Sequence, residues 1–331
     1  MNNDLYSKIE REFLSPRSLL TLGAVGILLL ILLLVSTNTN DRSRVDPIKQ
    51  PVVIDSVPYP FDGITLTARA AIVWDIKHNR EIFSRESTTV LPLASLTKLV
   101  TAIAAVETVP EYTVVPIEAE ALAQEGDSGL LLHERWNLRE LIKTSLISSS
   151  NDGARAIASV VGAVLTDHTL PSQETQPMVA ATDQFVQKMN QFTARIGMAD
   201  THFNNEHGLD VSTIESGGYG TARDMATLLS YAWNHHADIL DSTATRQVTT
   251  RSIDGIDHVV KNTNPVVENI PGILASKTGF TDLAGGNVVV LTSPGLEGPF
   301  AIVVLGSTYD GRFEDLSTLS KATLEYIVKN R

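Results

Sequence analysis

The chain contains no cysteine, few aromatic residues and fewer basic than acidic residues. Without cysteine, its 331 residues can form no disulfide, thiolate metal site, iron–sulfur cluster or cysteine nucleophile. Its 26 lysines and arginines stand against 38 acidic residues, and the resulting net charge of −12 disfavours nucleic acid as a partner. Apolar residues make up 43%, which is close to the globular norm. The composition therefore indicates an acidic globular protein.

One long uncharged run stands apart from this composition. Leu19–Val35 has 17 residues without a charge and, at about 1.5 Å per residue, just spans a hydrocarbon core. The residues after Val35 form a poor cleavage site, so we interpret 19–35 as an uncleaved transmembrane signal anchor, with a cleaved signal peptide as the alternative. Residues 1–18 are then a tail on one side of the membrane, and the polar residues 36–50 are a flexible tether. Basic residues balance across the run and do not orient it.

Strand-like patterns occur at both ends of the remaining segment, residues 51–331. Ala70–Trp74 and Glu81–Ser84 flank a polar turn and predict a hairpin. Asn287–Thr292 and Phe300–Gly306 predict a second hairpin near the end of the chain. One α+β domain is expected, in which both ends of the segment build one sheet around a helical insert.

Helical spacing predominates between the two hairpins. Leu96, Leu99, Ile103 and Val106 lie three and four residues apart and predict a helix that ends before Pro110. Further expectations are a mostly helical region over 137–233, Asn137 as the N-cap of a helix over Leu138–Leu146, a loop at Glu215–Gly220, and a last helix with Leu316, Leu319, Thr323, Tyr326 and Ile327 on one face.

The first chemical motif is Ser95-Leu96-Thr97-Lys98, at the beginning of the helix after the first hairpin. Residues three apart share a helix face, so the hydroxyl and the ammonium can touch. A lysine of lowered pKa can take the proton of a serine and make it a nucleophile. Lys98 alone among the ten lysines has a serine three positions before it. The alternative is an ordinary amphipathic helix, with Ser95 as its cap and Lys98 pointing to solvent.

The second motif is Ser149-Ser150-Asn151, at the end of the helix that runs through Leu146. A second hydroxyl near a serine–lysine pair can relay a proton, and an amide can orient the lysine and the substrate backbone. The triplet is weak evidence by itself, because a helix end with polar caps has the same composition.

The third motif is Lys277-Thr278-Gly279. On a strand, Lys277 and Gly279 share one face, and Thr278 lies on the other. A substrate backbone can lie against the strand at Gly279, which has no side chain. Lys277 offers a cation to a carboxylate and lowers the pKa of a second lysine by like-charge repulsion. The alternative is a surface turn with an exposed lysine.

Ser-x-x-Lys, Ser-x-Asn and Lys-Thr-Gly in this order are typical of penicillin-binding proteins and serine β-lactamases. The chain resembles the serine-type D-alanyl-D-alanine carboxypeptidases of peptidase family S11, the low-molecular-mass penicillin-binding proteins, over residues 66–328. The resemblance extends to Thr201–Asn204, His207–Asp210, Thr221–Asp224, Lys261–Pro265 and Gly306–Arg312. It implies a DD-peptidase/β-lactamase-like fold, with a five-stranded antiparallel sheet flanked by helices and a mostly helical region. Residues 51–331 are then a DD-peptidase/transpeptidase-like catalytic domain.

The resemblance also implies an activity. The enzyme would remove the terminal D-alanine from peptidoglycan stem peptides and would be acylated by β-lactams. Ser95 would attack the penultimate carbonyl, with Lys98 as general base and Ser149 relaying the proton to the leaving D-alanine. Substrate binding would fall to Asn151, Lys277, Thr278, Gly279, Phe280 and Arg312. Within that set, Lys277, Thr278 and Arg312 would hold the terminal carboxylate, and the N–H groups of Ser95 and Phe280 would form the oxyanion hole.

Two positions depart from the family pattern. Ser150 stands where this family usually has glycine, and Phe280 stands where many members have histidine. Neither departure removes a catalytic side chain, but both line the expected cleft and can alter substrate preference. No cofactor or metal is expected, because the string at His133–Asn137 lacks the second histidine of a zinc motif and the pair His235–His236 has no obvious partner.

Three alternatives to a carboxypeptidase stay open: a DD-endopeptidase, a β-lactamase and a non-catalytic wall-binding scaffold. The class A β-lactamase is disfavoured, since no glutamate between Asn151 and Lys277 is followed four residues later by asparagine. Intact motifs disfavour the scaffold. Because peptidoglycan lies outside the cytoplasmic membrane, the function implies a single-pass protein with a cytoplasmic N-terminus and an extracytoplasmic catalytic domain.

Overall fold

The structure is a computed structural model that describes residues 59–166, 178–295 and 297–330. Its helices are α1 (Thr97–Val106), α2 (Ala119–Leu122), α3 (Leu138–Ser148), α4 (Asn151–Leu165), α5 (Met178–Arg195), α6 (Ala222–Leu240) and α7 (Gly311–Lys329). Its strands are β1 (Ala70–Asp75), β2 (Arg80–Arg85), β3 (Leu91–Pro92), β4 (Val114–Pro116), β5 (Arg135–Asn137), β6 (His202–Phe203), β7 (Gly218–Gly220), β8 (Gln247–Arg251), β9 (Asp257–Lys261), β10 (Ile273–Thr281), β11 (Gly285–Thr292) and β12 (Phe300–Ser307).

The anchor predicted at 19–35 and the tether predicted at 36–50 lie outside these described residues. Among the helices that the structure does describe, none is both long enough and apolar enough to cross a membrane.

Both ends of the described domain contribute strands to one antiparallel sheet with the order β10-β11-β12-β1-β2. Val73 of the first strand pairs with Ile302 of the last, and Ala71 pairs with Val304. Both predicted hairpins and the five-stranded sheet are confirmed. Strand β10, which carries Lys277, is therefore an edge strand of the sheet formed by the described residues.

Side chains of the central strands alternate between two hydrophobic cores. Val288 and Val290 of β11 lie in a core shared with α7, whereas Val289 and Leu291 lie in a larger core shared with the other long helices. This alternation follows from the two-residue repeat of a strand. The apolar run Val288–Leu291 within β11 is thus explained, because helices cover both faces of the sheet.

Helix α1 lies inside the larger core, and every residue from Thr97 to Ala105 is buried. The predicted helix through Leu96, Leu99 and Ile103 is confirmed and ends at Val106. Packing on all sides holds this helix in place. It is therefore a rigid support for the polar side chains at its first turn.

Within the insert between β2 and β10, the region 137–233 is mostly helical, as predicted. Asn137 caps α3 by accepting a hydrogen bond from the N–H of Arg139, which confirms the predicted N-cap. The loop predicted at Glu215–Gly220 is wrong in part, because Gly218–Gly220 is strand β7 and pairs with β3 and β6. Glycine is needed at Gly218 because a Cβ there would lie 2.8 Å from Thr97 Oγ1.

Candidate active site

Ser95 and Lys98 lie on either side of a change in helix type. Ser95 is in a single 3₁₀ turn, Ala94–Leu96, and Lys98 is in the first turn of α1. Ala94 has a φ of +49°, a left-handed conformation that is costly for a residue with a Cβ. This turn brings Lys98 Nζ within 2.9 Å of Ser95 Oγ. The predicted contact between hydroxyl and amine is present, and the alternative of a solvent-facing lysine is not.

Two further oxygen atoms contact the amine of Lys98. Nζ donates to Asn151 Oδ1 at 2.6 Å and to the carbonyl oxygen of His207 at 2.7 Å. The Asn151 amide has its Oδ1 turned towards Lys98 because its Nδ2 donates to the Glu125 carbonyl at 2.7 Å. Lys98 is 1% exposed, and burial lowers its pKa to about 7. A neutral amine beside a serine hydroxyl is therefore available near neutral pH.

Ser149 and Lys277 form a second hydroxyl–amine pair. Ser149 ends α3 in a left-handed conformation, with φ +62°. Lys277 Nζ donates to Ser149 Oγ at 2.9 Å and to the carbonyl oxygen of Thr278 at 2.6 Å. Burial, and then the charge of Lys98, hold the pKa of Lys277 well below its usual value. The sequence predicted that Lys277 would lower the pKa of a second lysine; the like-charge effect here acts from Lys98 on Lys277, and burial is the larger cause.

Strand β10 passes against the turn that carries Ser95. A Cβ on Gly279 would lie 2.9 Å from the Leu93 carbonyl oxygen and 3.0 Å from the Ser95 nitrogen. Thr278 is buried, and its Oγ1 shares a hydrogen bond of 2.6 Å with Thr263 Oγ1. The absence of a side chain at Gly279 therefore permits close contact between the strand and the Ser95 turn.

Arg312 reaches the same strand from α7. Its Nη1 donates to the Gly279 carbonyl at 2.9 Å. Its guanidinium carbon lies 4.5 Å from the ring centre of Tyr309, 4.6 Å from that of Phe313 and 5.9 Å from that of Phe280. Arg312 is buried, whereas Phe280 is 44% exposed at the rim of the site. The guanidinium is thus enclosed by aromatic rings, and its role towards a carboxylate stays a prediction.

Several groups that support the site were not predicted. The carbonyl oxygens of His207 and Glu125 hold Lys98 and Asn151, and Asp210 accepts a hydrogen bond from Thr281 Oγ1 at 3.0 Å beyond Gly279. The segment His207–Asp210 was noticed in the sequence as part of the family resemblance, but without a role. Main-chain acceptors give no residue-type signal, so only the motif as a whole could have indicated them.

The histidines of the two patterns considered as metal sites in the sequence have local partners. His133 Nδ1 lies 3.5 Å from Glu118 Oε2, and the ring of His235 lies 4.5 Å from the ring of Tyr231. Within the part of the chain that the structure describes, no three histidine or acidic residues are grouped as metal ligands.

Two serine hydroxyls and two buried amines therefore meet beside an edge strand. Ser95 is placed to act as a nucleophile, Lys98 as its base, and the Ser149–Lys277 pair as a proton relay on the other side of the site. The edge strand β10 offers main-chain groups to an extended peptide. This arrangement suits acyl transfer from a peptide to a serine.

Comparisons with known proteins agree with this chemistry. The family model described as D-alanyl-D-alanine carboxypeptidase, peptidase S11, matches residues 55–167 and 176–308. The D-alanyl-D-alanine carboxypeptidase DacF of Bacillus subtilis is 25% identical over 247 residues, which are 73% of this chain and 58% of DacF. The D-alanyl-D-alanine endopeptidase of Haemophilus influenzae is 27% identical over 233 residues, 68% of this chain and 70% of that protein. The chain thus spans less than two thirds of DacF.

Solved structures show the same fold. Penicillin-binding protein D2 from Listeria monocytogenes, in its ampicillin-bound form, has a TM-score of 0.62 and 24% identity, covering 79% of this chain and 99% of that one. The Streptomyces K15 DD-transpeptidase has a TM-score of 0.66 and 20% identity, covering 79% of this chain and 98% of that one. The fold is DD-peptidase-like, and the family model covers most of it. The chain belongs to peptidase family S11, the D-alanyl-D-alanine carboxypeptidases.

Proposed function

We propose that this chain is a serine-type D-alanyl-D-alanine carboxypeptidase that removes the terminal D-alanine of peptidoglycan stem peptides through an acyl-enzyme on Ser95. The observation that carries the proposal is the buried Lys98 amine, 2.9 Å from the Ser95 hydroxyl. Family membership and relatives named as D-alanyl-D-alanine peptidases support the substrate class.

The hydrogen bonds of Lys98 support a direction of proton transfer, from Ser95 to a neutral amine. A neutral amine has two N–H donors and one lone pair. The Asn151 and His207 oxygen atoms can only accept, so they use both donors, and the lone pair is left for the Ser95 O–H. As Ser95 Oγ bonds to the penultimate carbonyl carbon, its proton passes to Lys98.

Collapse of the tetrahedral intermediate breaks the peptide bond and requires a proton on the leaving nitrogen. Ser149 Oγ donates that proton and takes one from Lys277 Nζ, which lies 2.9 Å from it, and the proton that Lys98 accepted from Ser95 replaces the one that Lys277 gave. The N–H groups of Ser95 and Phe280 stabilise the oxyanion, and one such donor is typically worth ~10²–10³ in rate. Water then hydrolyses the Ser95 ester and releases the stem peptide shortened by one D-alanine.

The terminal carboxylate of the substrate is assigned to Lys277, Thr278 and Arg312. Such a cationic pocket recognises a chain end rather than an internal peptide bond. The carbonyl of Gly279 connects this pocket to the nucleophile turn, because Arg312 bonds to Gly279 and Gly279 abuts Ser95.

The test is the intact mass of the full-length protein after incubation with benzylpenicillin. A stoichiometric adduct that lasts minutes and is absent in Ser95→Ala supports the acyl-enzyme. Ser317→Ala, an exposed serine on α7, is the matched control and should keep the adduct. An adduct lost within seconds, as drug is consumed, would support a β-lactamase. No adduct on folded protein would support a non-catalytic scaffold.

The choice between carboxypeptidase and DD-endopeptidase needs a second assay. D-Alanine release from a diacetyl-L-Lys-D-Ala-D-Ala peptide is compared with cleavage of a purified cross-linked muropeptide dimer, using the same preparation. We expect faster D-alanine release, and the reverse preference would assign the endopeptidase activity carried by the name of the Haemophilus influenzae relative.

We also propose that residues 19–35 anchor the enzyme in the cytoplasmic membrane, with the catalytic domain on the outer side. The support is the uncharged run in the sequence and the external location of peptidoglycan. Alkaline phosphatase fused after residue 50 should be active in cells, whereas a fusion after residue 18 should be inactive. Activity of the second fusion alone would reverse the orientation.

A further inference from the structure

An ion pair between the buried Glu206 and the partly exposed Arg155 lies next to Lys98 and has no part in the reaction described above. Glu206 Oε1 is 3.0 Å from Arg155 Nε, and the Glu206 side chain is only 1% exposed. Burying a carboxylate is costly unless a cation compensates for it. Burial of Glu206 thus costs folding free energy, and the pair lies beside Lys98, the proposed general base.

The backbone of Glu206 is tied to the helix that carries Lys98. The carbonyl of Glu206 accepts a hydrogen bond from Thr101 Oγ1 at 2.6 Å, and the carbonyl of His207 accepts from Lys98 Nζ at 2.7 Å. Thr101 and Lys98 are three residues apart and share one face of α1. Two successive carbonyls thus fix the 206–207 segment along α1.

The side chain of Glu206 ties the same segment to α4. Arg155 is on this helix, one turn after Asn151, which supplies another oxygen partner of Lys98. The Glu206–Arg155 contact therefore joins the two structural elements that hold the Lys98 amine. Loss of the contact would free the His207 carbonyl to move relative to Asn151.

The charges of Glu206 and Arg155 also bear on the protonation of Lys98. Lys98 is faced by Glu206, by Asp152 of α4 and by Lys277 of β10. Both carboxylates favour protonated Lys98, which cannot act as a base, whereas the charge of Lys98 lowers the pKa of Lys277. His207 adds no charge, since burial and then Lys98 lower its pKa to about 2.

Glu206 is in turn faced by charged groups from several elements. Burial raises the pKa of Glu206, and Asp183 of α5 adds to that effect, whereas Arg155 and Lys98 favour the ionised carboxylate. Arg155 is therefore the cation that offsets the Glu206 carboxylate without being part of the site. If Arg155 were absent, Lys98 would be the main cation left to compensate Glu206.

We propose that Arg155 and Glu206 are a positioning pair that holds the His207 carbonyl against Lys98, with Arg155 preventing the Glu206 carboxylate from keeping Lys98 protonated. This inference rests on the proposed role of Lys98 as general base. It assigns neither residue a contact with substrate.

The test is the pH dependence of the second-order rate of acylation by benzylpenicillin, measured on the full-length protein. In Glu206→Gln, the acid limb of the profile should move to lower pH by about one unit, the low end of the range for a nearby charge. In Arg155→Gln, the limb should move to higher pH. The double variant should return close to the wild-type limb, with a lower plateau where positioning is lost.

Shifts of the acid limb in opposite directions in the two single variants distinguish this proposal from a merely structural role. A structural role would lower the plateau of the acylation rate in both variants without moving the acid limb. Limbs that stay in place, or that move in the same direction, overturn it. Glu206→Gln alone decides the matter if Arg155→Gln does not fold. Glu325→Gln, at an exposed position on α7, is the matched control. If the wild-type protein forms no Ser95 adduct, the proposed function fails instead.

Discussion

The backbone of Gly279 lies so close to Ser95 that a Cβ on Gly279 would stand 3.0 Å from the Ser95 nitrogen. The same Cβ would lie 3.1 Å from the Cβ of Ala94. Ala94 is itself in a left-handed conformation and 0% exposed, so this turn cannot move aside easily. The edge strand and the nucleophile turn are thus held at a separation that only glycine allows.

Gly279→Ala should therefore displace β10 from the Ser95 turn and spoil the expected oxyanion hole. We expect acylation by benzylpenicillin to slow by about 10²-fold, the loss associated with one oxyanion donor. Stopped-flow acylation rates measure this effect. Gly197→Ala is the control, because Gly197 has a φ of +87° but no atom within 4 Å of an added Cβ. It should lower stability without slowing acylation, and a normal rate in Gly279→Ala would contradict the argument.

The pKa of Lys98 predicts the pH profile of the wild-type enzyme. Burial lowers this pKa to about 7, and only the neutral amine can accept the Ser95 proton. The acylation rate should therefore fall about tenfold for each pH unit well below 7 and level off above it. Second-order rates between pH 5 and 9 test this directly. A rate that is constant from pH 5.5 to 8 would exclude Lys98 as the base.

The same lowered pKa should make folding stability depend on pH. An unfolded lysine has a pKa of about 10.4, so between pH 7 and 10 the unfolded chain binds more protons at this position than the folded one. The free energy of unfolding then rises with pH, by about 3 kcal/mol from Lys98 across this window. Urea unfolding of wild type and Lys98→Met isolates the contribution as a difference. An identical pH dependence in both proteins would contradict it.

Local spacing explains which parts of the site were predictable. Ser95 and Lys98 are three residues apart, so helix geometry alone brings them together. Ser149 and Lys277 are far apart in sequence, and only the order of the three motifs indicated that they share a site. Glu206 and Arg155 have no sequence signal, since their contact depends on how a loop packs against α1 and α4.

The fold was predictable where periodicity is strong. The apolar strands β1, β11 and β12 and the helix α1 follow clear patterns. Strand β7 escaped prediction because Gly218 and Gly220 are required by close packing and give no alternation. The hairpin of β8 and β9 was also missed, because QVTTR has a single valine and DHVVK has two adjacent valines, so neither sequence alternates between apolar and polar residues.

Ser150, at a position that usually holds glycine in this family, should stabilise the helix that begins with Asn151. Its Oγ accepts a hydrogen bond from the Gly153 N–H at 2.9 Å and donates to Ser128 Oγ at 2.7 Å. Loss of an N-cap typically costs about 1 kcal/mol, so Ser150→Ala should lower Tm by about 2–4 °C. Ser128→Ala keeps the cap and removes the Ser128 bonds to Ser150 and, at 2.8 Å, to Asp152, so it measures those bonds separately. An unchanged Tm of Ser150→Ala by calorimetry would contradict the capping role.

Two roles of Arg312 make different predictions: binding the terminal carboxylate of the substrate, and supporting the strand through Gly279. Its guanidinium donates to the Gly279 carbonyl and is enclosed by Tyr309 and Phe313. If it binds the terminal carboxylate, Arg312→Gln should raise KM for a D-Ala-D-Ala peptide by about 10–100-fold, the worth of one charged hydrogen bond. The same peptide with a terminal amide should be affected much less. If Arg312 acts only through Gly279, Arg312→Gln will slow cleavage of the acid and the amide peptide equally. In that case kcat will fall with little change in KM. Steady-state kinetics on the two peptides separate these roles.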